Sequence, residues 1–264
     1  AVLLTAGLVE EPGIAVERPQ TVGHGRRGGY RLTGTKVAVP ALPHADAVLV
    51  PAFTDDGTLL FLIHTDDLGV TITPQLLSDG NAVGLLELDA VPVGPERLVG
   101  TSSGAATARL LDLAILALCA EQVGVCTGAL RATAEYAAAY GQSDQPTGGL
   151  PGSQTSQARL ADGYIDALCL ESAMWQAAWL LDEGRPAAAE LATAKFWAAE
   201  AGHRIAHTAM HLHGSQGVEP TGTAHRWFTA AKRIEFSLGS ATEHALALGK
   251  LRLPTRPPGP SRGR

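Results

Sequence analysis

At 264 residues the chain can bury one or two cores, and 45% hydrophobic against 17% charged residues excludes a disordered protein. A net charge of −6 gives no general pull toward nucleic acid or an anionic membrane surface, though it leaves room for an anionic substrate in a local basic pocket. Three cysteines, Cys119, Cys126 and Cys169, form no C-x-x-C pair, and their odd number argues against a disulfide framework. Cys119 and Cys126 stand seven apart, on one face of a helix, where buried free thiols are expected.

The opening AVLLTAGLVEEPG lacks the basic n-region of a secretory signal. Val2 to Leu4 read as the inside of a strand, so something is expected to precede it. No apolar run reaches the roughly eighteen residues of a membrane span, and a soluble cytoplasmic protein is the default expectation.

Residues 1–100 carry short β-rich runs broken by Gly, Pro and Asp. Tyr30 to Val37 alternates polar and apolar groups, as a half-buried strand does. Ala47–Ala52, Leu59–His64, Val70–Thr73 and Gly84–Leu88 are further strands, with turn signals at Asp56-Gly57 and Asp79-Gly80. No long helical pattern lies between them, so an antiparallel meander or small barrel is expected over 1–100, and not a parallel α/β sheet.

After Gly100 the pattern turns helical. Ser102 or Ser103 can cap a helix running to about Tyr140, with Leu110, Leu111, Leu113, Leu116, Leu118 and Val123 on its buried side. Gly141 to Gly152 is Gly/Pro-rich and reads as a loop. Helices then cover Ser153–Asp182, Pro186–His213 and Thr223–Leu251, with Pro186 in a first turn and Gly184 and Gly214 at helix stops. The expected fold is α+β: a β-domain over 1–100, a four-helix bundle over 101–253 and a disordered Pro/Arg-rich tail over 254–264.

Two local motifs yield to structural readings. Gly23-His24-Gly25-Arg26-Arg27-Gly28 matches G-x-G-x-x-G, but it leads into a strand and not a helix N-terminus, so it reads as a hairpin turn. His203, His207 and His211 recur at helical spacing, yet no H-E-x-x-H is present and Arg204 and Ala206 offer no ligand. Contact at a helix interface is expected there, and no metal site.

The order of the segments carries more. Gly29-Tyr30-Arg31-Leu32-Thr33-Gly34-Thr35-Lys36 resembles the G-x-Y-x-L-x-G-x-K hairpin of acyl-CoA dehydrogenases, and Ala45-Asp46-Ala47-Val48-Leu49-Val50 the strand that follows it. Leu88-Asp89-Ala90-Val91-Pro92-Val93 through Leu98-Val99-Gly100 is similar to the exit into that family's helical domain. Gln122-Val123-Gly124, Gly128-Ala129-Leu130, Tyr136-Ala137 and Gln157 with Leu160-Ala161-Asp162 fall at familiar intervals, and His213-Gly214-Ser215-Gln216-Gly217 looks like the H-G-G-x-G turn, followed by His225-Arg226 and Lys232. The match covers nearly all of residues 1–250, and the family's N-terminal helical domain has no counterpart in it.

The resemblance implies FAD held between the β-domain and the bundle, often across a subunit interface, and an acyl-CoA substrate. In such enzymes a Glu removes the pro-R α-proton of the thioester while the β-hydride passes to flavin N5. A carboxylate is required because that proton becomes acidic enough only beside a polarised carbonyl and a desolvated base.

This chain departs from the pattern at the chemistry. The usual Ile-Tyr-Glu-Gly-Thr segment corresponds to Phe236-Ser237-Leu238-Gly239-Ser240, which puts Leu238 at the base position. The second base position, right after Leu-Asp-Leu, is Ala114 behind Leu111-Asp112-Leu113. Glu243 and Glu121 lie five and seven residues beyond these positions and read as ordinary surface or buried-polar residues. At the positions that the resemblance sets near a flavin stand Gln142, His211, His213, Gly214 and Ser240. The family's Arg-x-Gln-Phe reads Tyr140-Gly141-Gln142-Ser143, without the guanidinium fork that phosphate recognition uses. Its Trp-Ile-Thr/Ser strand reads Ala38-Val39-Pro40, and proline has no N–H to offer.

The expected function is that of a base-lacking partner subunit in a heteromeric acyl-CoA dehydrogenase, homo- or hetero-oligomeric through the bundle, with Trp175, Trp179, Trp197 and Trp227 as core or interface anchors. Two alternatives stand beside it: a diverged flavoenzyme active alone, and a cofactor-free homologue that keeps only the fold.

Overall fold

Alternating apolar residues over the first hundred positions close a sheet, and the helical pattern after it builds a separate helical layer. The computed structural model describes residues 2–11, 15–26, 28–100, 104–140 and 153–252. Its strands are β1 (Leu4–Ala6), β2 (Val22–Arg26), β3 (Gly29–Pro40), β4 (Ala47–Thr54), β5 (Gly57–His64), β6 (Val70–Leu76), β7 (Ala82–Val93) and β8 (Leu98–Val99). Its helices are α1 (Ala105–Tyr140), α2 (Gln154–Asp182), α3 (Ala188–His213), α4 (Thr223–Phe236) and α5 (Ala241–Arg252). The class is α+β, as the sequence implies. Two units divide the chain, Ala1–Leu113 and Ala114–Arg264, and the division falls inside α1.

In the first unit the strands form one sheet in the order β6-β7-β3-β2-β4-β5-β8, with β1 also paired to β4. Most pairings are antiparallel, but β1 and β2 run parallel to β4, so the sheet is mixed. Leu32, Val48, Val50, Phe61, Ile63, Leu86 and Val91 fill its core, and Tyr30 meets Phe61 edge-on with ring centres 5.1 Å apart. Strand β1 begins at Leu4, the end of the strand read at Val2 to Leu4, whereas β2 and β8 lie outside the runs read from the sequence; β8 is too short, and β2 too glycine-rich, to show alternation. The Gly23–Gly28 motif is accordingly strand for most of its length, with Gly23 opposite Leu32 and Gly25 opposite Tyr30, and Gly28 lies in the turn to β3.

A buried ion pair fastens the chain before β2 to β3. Lys36, fully enclosed, donates to Glu10 Oε1 at 2.6 Å. The same carboxylate accepts from the backbone N–H of Gln20 and from both the N–H and hydroxyl of Thr21. Burial pushes the Glu10 carboxyl up, but the Lys36 ammonium and these hydrogen bonds outweigh it and hold it below the usual carboxylate range.

In the second unit, α1 is long and apolar enough to cross a membrane by length and composition, contrary to the sequence expectation. It is instead the core helix of a bundle: Ile115, Cys119, Gln122, Cys126, Ala129, Thr133 and Ala137 form a buried seam at steps of three and four. The seam differs from the predicted one. The leucines assigned to it, Leu116 and Leu118 among them, are only half-buried, and Leu113, the last residue of the first unit, is exposed. Gln122 Nε2 donates to the Ala198 carbonyl on α3 at 3.0 Å, and a Cβ on Gly202 would lie 1.5 Å from that nitrogen, so a side chain there would displace the Gln122 amide. Cys119 and Cys126 are buried free thiols, each pushed up to about 12 by burial.

Ser153 caps α2 through its side chain, which accepts from the Ser156 N–H. Gly184 and Gly214, at φ 63° and 57°, end α2 and α3 as expected. Helix α3 starts at Ala188, two residues past Pro186. The segment predicted as one helix over Thr223–Leu251 is broken between Phe236 and Ala241. The Ser102/Ser103 cap, the loop over 141–152 and the tail over 254–264 lie outside the described residues.

Candidate functional site

The break between α4 and α5 holds the position where the sequence leads one to look for a base. Ser237 turns the chain out of α4 in an extended conformation, and Leu238 (φ 53°) and Gly239 (φ 102°) are left-handed. A left-handed conformation at a non-glycine residue costs roughly 1–2 kcal/mol and persists only where its surroundings impose it. Four side chains impose it here. Lys195 of α3, fully buried, donates to the carbonyls of Ile234 at 3.1 Å, Glu235 at 3.3 Å and Gly239 at 2.8 Å. His244 Nε2 lies 2.9 Å from the Leu238 carbonyl oxygen. Ser240 and Glu243 close a reciprocal cap on α5: the Ser240 N–H and hydroxyl donate to Glu243 Oε2 at 2.8 and 2.9 Å, and the Glu243 N–H donates back to Ser240 Oγ at 3.4 Å.

Burial pushes the Lys195 ammonium down to about 8, and burial also lowers the His244 imidazole. The Ser240 N–H and hydroxyl hold the Glu243 carboxyl below the usual range, so this carboxylate is a helix cap and a poor proton acceptor. Glu121 is ion-paired with Arg233. The frame at 238 is therefore intact and tightly held, yet the side chain on it is isobutyl. Ala114, half-buried on α1, offers a methyl group. Sequence reasoning missed Lys195 and His244; the one signal was a lysine set inside the alanine run of α3, where a surface residue has no place.

The other positions singled out in the sequence are not gathered into one cradle within either unit. His213 is stacked on Tyr136 with ring centres 4.2 Å apart, and its Nδ1 lies 2.8 Å from the Ala209 carbonyl. Gly214 and His211 are exposed, and Gly214 begins a 3-10 turn to Val218. Ser240 is committed to Glu243, and Gln142 lies outside the described residues. In the first unit Ala38 and Pro40 are exposed without a side-chain donor, Val39 is buried, and the Pro40 carbonyl is taken by Thr5 Oγ1 at 2.5 Å. Among the described residues of this set, Ser240 and His213 are already engaged and none carries a guanidinium, so taken unit by unit they do not by themselves fit a flavin.

The histidine row divides. His203 lies 3.2 Å from Glu235 Oε1 and 3.1 Å from Lys232 Nζ, and His207 packs on His203 and on Phe228. Among the described residues no group of three potential ligands is placed to hold a metal ion. Of the tryptophans, Trp227 packs into the bundle core and Trp197 is half-buried, whereas Trp175 and Trp179 stand exposed on α2.

Residues 104–250 match the family model "Acyl-CoA dehydrogenase, C-terminal domain". The chain is 43% identical over 256 residues to acyl-CoA dehydrogenase FadE27 of Mycobacterium tuberculosis, a match covering 94% of this chain and 66% of that relative. Among solved structures it resembles the ChsE4-ChsE5 complex from Mycobacterium tuberculosis, with a TM-score of 0.86 and 42% identity over 96% of this chain and 67% of the other. It also resembles a Tcur3481-Tcur3483 steroid acyl-CoA dehydrogenase variant, with a TM-score of 0.85 and 35% identity over 94% of this chain and 66% of the other. The chain thus spans about two thirds of the length of the proteins it is similar to.

Proposed function

Because the chain belongs to the acyl-CoA dehydrogenase family, we propose that it is the base-lacking subunit of a two-chain dehydrogenase of acyl-CoA thioesters. One observation carries the reading. The segment that bears residue 238 keeps a pinned, left-handed presentation, while Leu238 and Ala114 put hydrocarbon at both base positions. A chain that merely drifted would have little reason to hold Leu238 in a strained conformation with a buried lysine. In an assembly the same frame serves to wall and dry a site whose carboxylate comes from another chain.

The relatives support this arrangement, since both similar solved structures are named as pairs of distinct chains. Members of the family are FAD-dependent. The described candidate residues do not compose a flavin site by themselves, and in this reading the partner supplies most of the contacts.

The test is spectroscopic. The chain is expressed alone and together with the product of the neighbouring open reading frame, and flavin absorption is recorded at about 450 nm. Flavin and acyl-CoA desaturation are expected in the co-expressed sample only. A lone chain that binds FAD and desaturates a CoA ester would falsify the proposal. In the flavin-loaded complex, Leu238→Glu is expected to return measurable turnover when the partner's own base has been replaced by Gln.

A second reading keeps catalysis on Asp112, whose carboxyl is raised by burial. It is the weaker one. Residues 112 and 114 are two apart on a helix, about 200° around its axis, so a carboxylate at 112 faces away from the place that residue 114 serves.

A further inference from the structure

Helix α3 carries a row of exposed imidazoles that the proposed function does not use. His203, His207 and His211 recur one turn apart, so each stands over the next. The His203 and His207 rings lie 4.4 Å apart, centre to centre, at a tilt of 40°. Both are held from α4. His207 meets the Phe228 ring edge-on at 5.2 Å, and His203 Nδ1 lies 3.2 Å from Glu235 Oε1. Lys232 Nζ stands 3.1 Å from the same ring nitrogen and 2.6 Å from Glu235 Oε2. A carboxylate only accepts, so its contact requires a proton on Nδ1 and leaves the Nε2 lone pair free; an ammonium only donates and would need the reverse. The shorter contact satisfies Lys232 on Glu235 Oε2, which leaves Oε1 for the His203 Nδ1–H. Partial burial, followed by the charges of His203 and Lys232, pushes the His207 imidazole below its ordinary value, so it is neutral at pH 7.

We propose that His203 and His207 bind a late first-row divalent ion such as zinc, one ring nitrogen each, with Glu235 as the carboxylate that orients His203. Imidazoles at i and i+4 on one helix face are a chelating pair for such ions. Ring centres 4.4 Å apart allow two nitrogens each about 2.1 Å from one ion. A ligating histidine that gives its other N–H to a carboxylate is held in the binding tautomer and is the more basic ligand. Among the described residues no third His, Cys, Asp or Glu converges on the pair, so water completes the coordination and the site is an open one. Lys232 works against the ion, because it repels a dication and competes for Glu235. The sequence reading expects no metal site here, since the neighbours of the histidines on α3 offer no ligand. The orienting group instead comes from α4, 32 residues from His203, which local spacing does not show.

The test is calorimetric titration of the purified full chain with Zn²⁺ at neutral pH. Wild type is compared with His207→Gln, Glu235→Gln and Lys232→Gln, and circular dichroism shows that each variant is folded. One zinc per wild-type chain is expected. His207→Gln is expected to abolish that uptake, Glu235→Gln to weaken it about tenfold or more, as loss of an orienting carboxylate does, and Lys232→Gln to tighten it. A wild-type chain that takes up no zinc overturns the proposal. Uptake that His207→Gln leaves unchanged also overturns it, because the ion then sits elsewhere. Uptake that is lost in His207→Gln but unaltered in Glu235→Gln overturns it as well, since the histidines then hold an adventitious ion only. None of these outcomes bears on the two-chain reading, which the proposal does not need.

Discussion

Lys195 shows how one residue can be structurally decisive and silent in sequence. Its ammonium is enclosed among α3, the end of α4 and the start of α5, and burial pushes it down to about 8. The folded value lies below the unfolded value, so the fold carries the cost of the charge at low pH and sheds it as pH rises through 8. Cys119 and Cys126, pushed up to about 12, act in the opposite sense: the folded chain keeps protons that the unfolded chain releases above its ordinary thiol value, so stability falls as pH rises there. Comparison with Lys195→Met isolates the lysine. Between pH 7.5 and 9.0, the wild type is expected to gain about 1 kcal/mol on the variant, measured by urea unfolding. A constant difference would mean that Lys195 does not titrate in that range. Leu238 and Ala114 were singled out as the base positions from motif order, and Leu238→Glu in the proposed complex is the test of that reading. The helix break around Leu238 was not legible: Gly239 was its only local signal, and the Ser-x-x-Glu spacing of Ser240 and Glu243 shows as a cap only once a helix is known to begin there.

At the scale of elements, legibility followed periodicity. Long alternating strands were found, whereas β8, at two residues, was too short to show a period. The buried side of α1 was misassigned because hydrophobicity alone ranks leucine above cysteine, glutamine and alanine, while close helix packing selects small side chains and one bonded amide. Strand β3 holds the element-scale prediction. Lys36→Met leaves the Glu10 carboxylate enclosed without its cation and is expected to cost about 3–5 kcal/mol. The double variant Glu10→Gln with Lys36→Met removes both charges and should recover part of that loss. Urea midpoints that rank the double variant below the single one would show that the hydrogen bonds from Thr21 and Gln20, and not the ion pair, hold this segment.

At the scale of the whole molecule, class and family were legible because ordered segments over nearly the entire chain constrain more than any one motif. Cofactor occupancy was not, since Gln142 lies outside the described residues and Ser240 and His213 are engaged within the bundle. The division into two units has a measurable consequence. All four tryptophans, Trp175, Trp179, Trp197 and Trp227, lie in Ala114–Arg264, whereas the strands lie in Ala1–Leu113. Tryptophan emission therefore reports the bundle, and the far-ultraviolet sheet signal reports the first unit. Each unit has its own buried cluster, so the two are expected to melt as separable transitions. Lys36→Met then lowers the sheet midpoint by about 10 °C or more, from the loss argued above and the entropy of unfolding a unit of that size, while the tryptophan midpoint stays in place. Co-movement of both signals would show that α1, which crosses the division at Leu113, couples the sheet and the bundle into one cooperative unit. In that case a substitution in the first unit also disturbs the α4–α5 segment that holds Leu238, and the proposed two-chain assembly must be tested with both units intact.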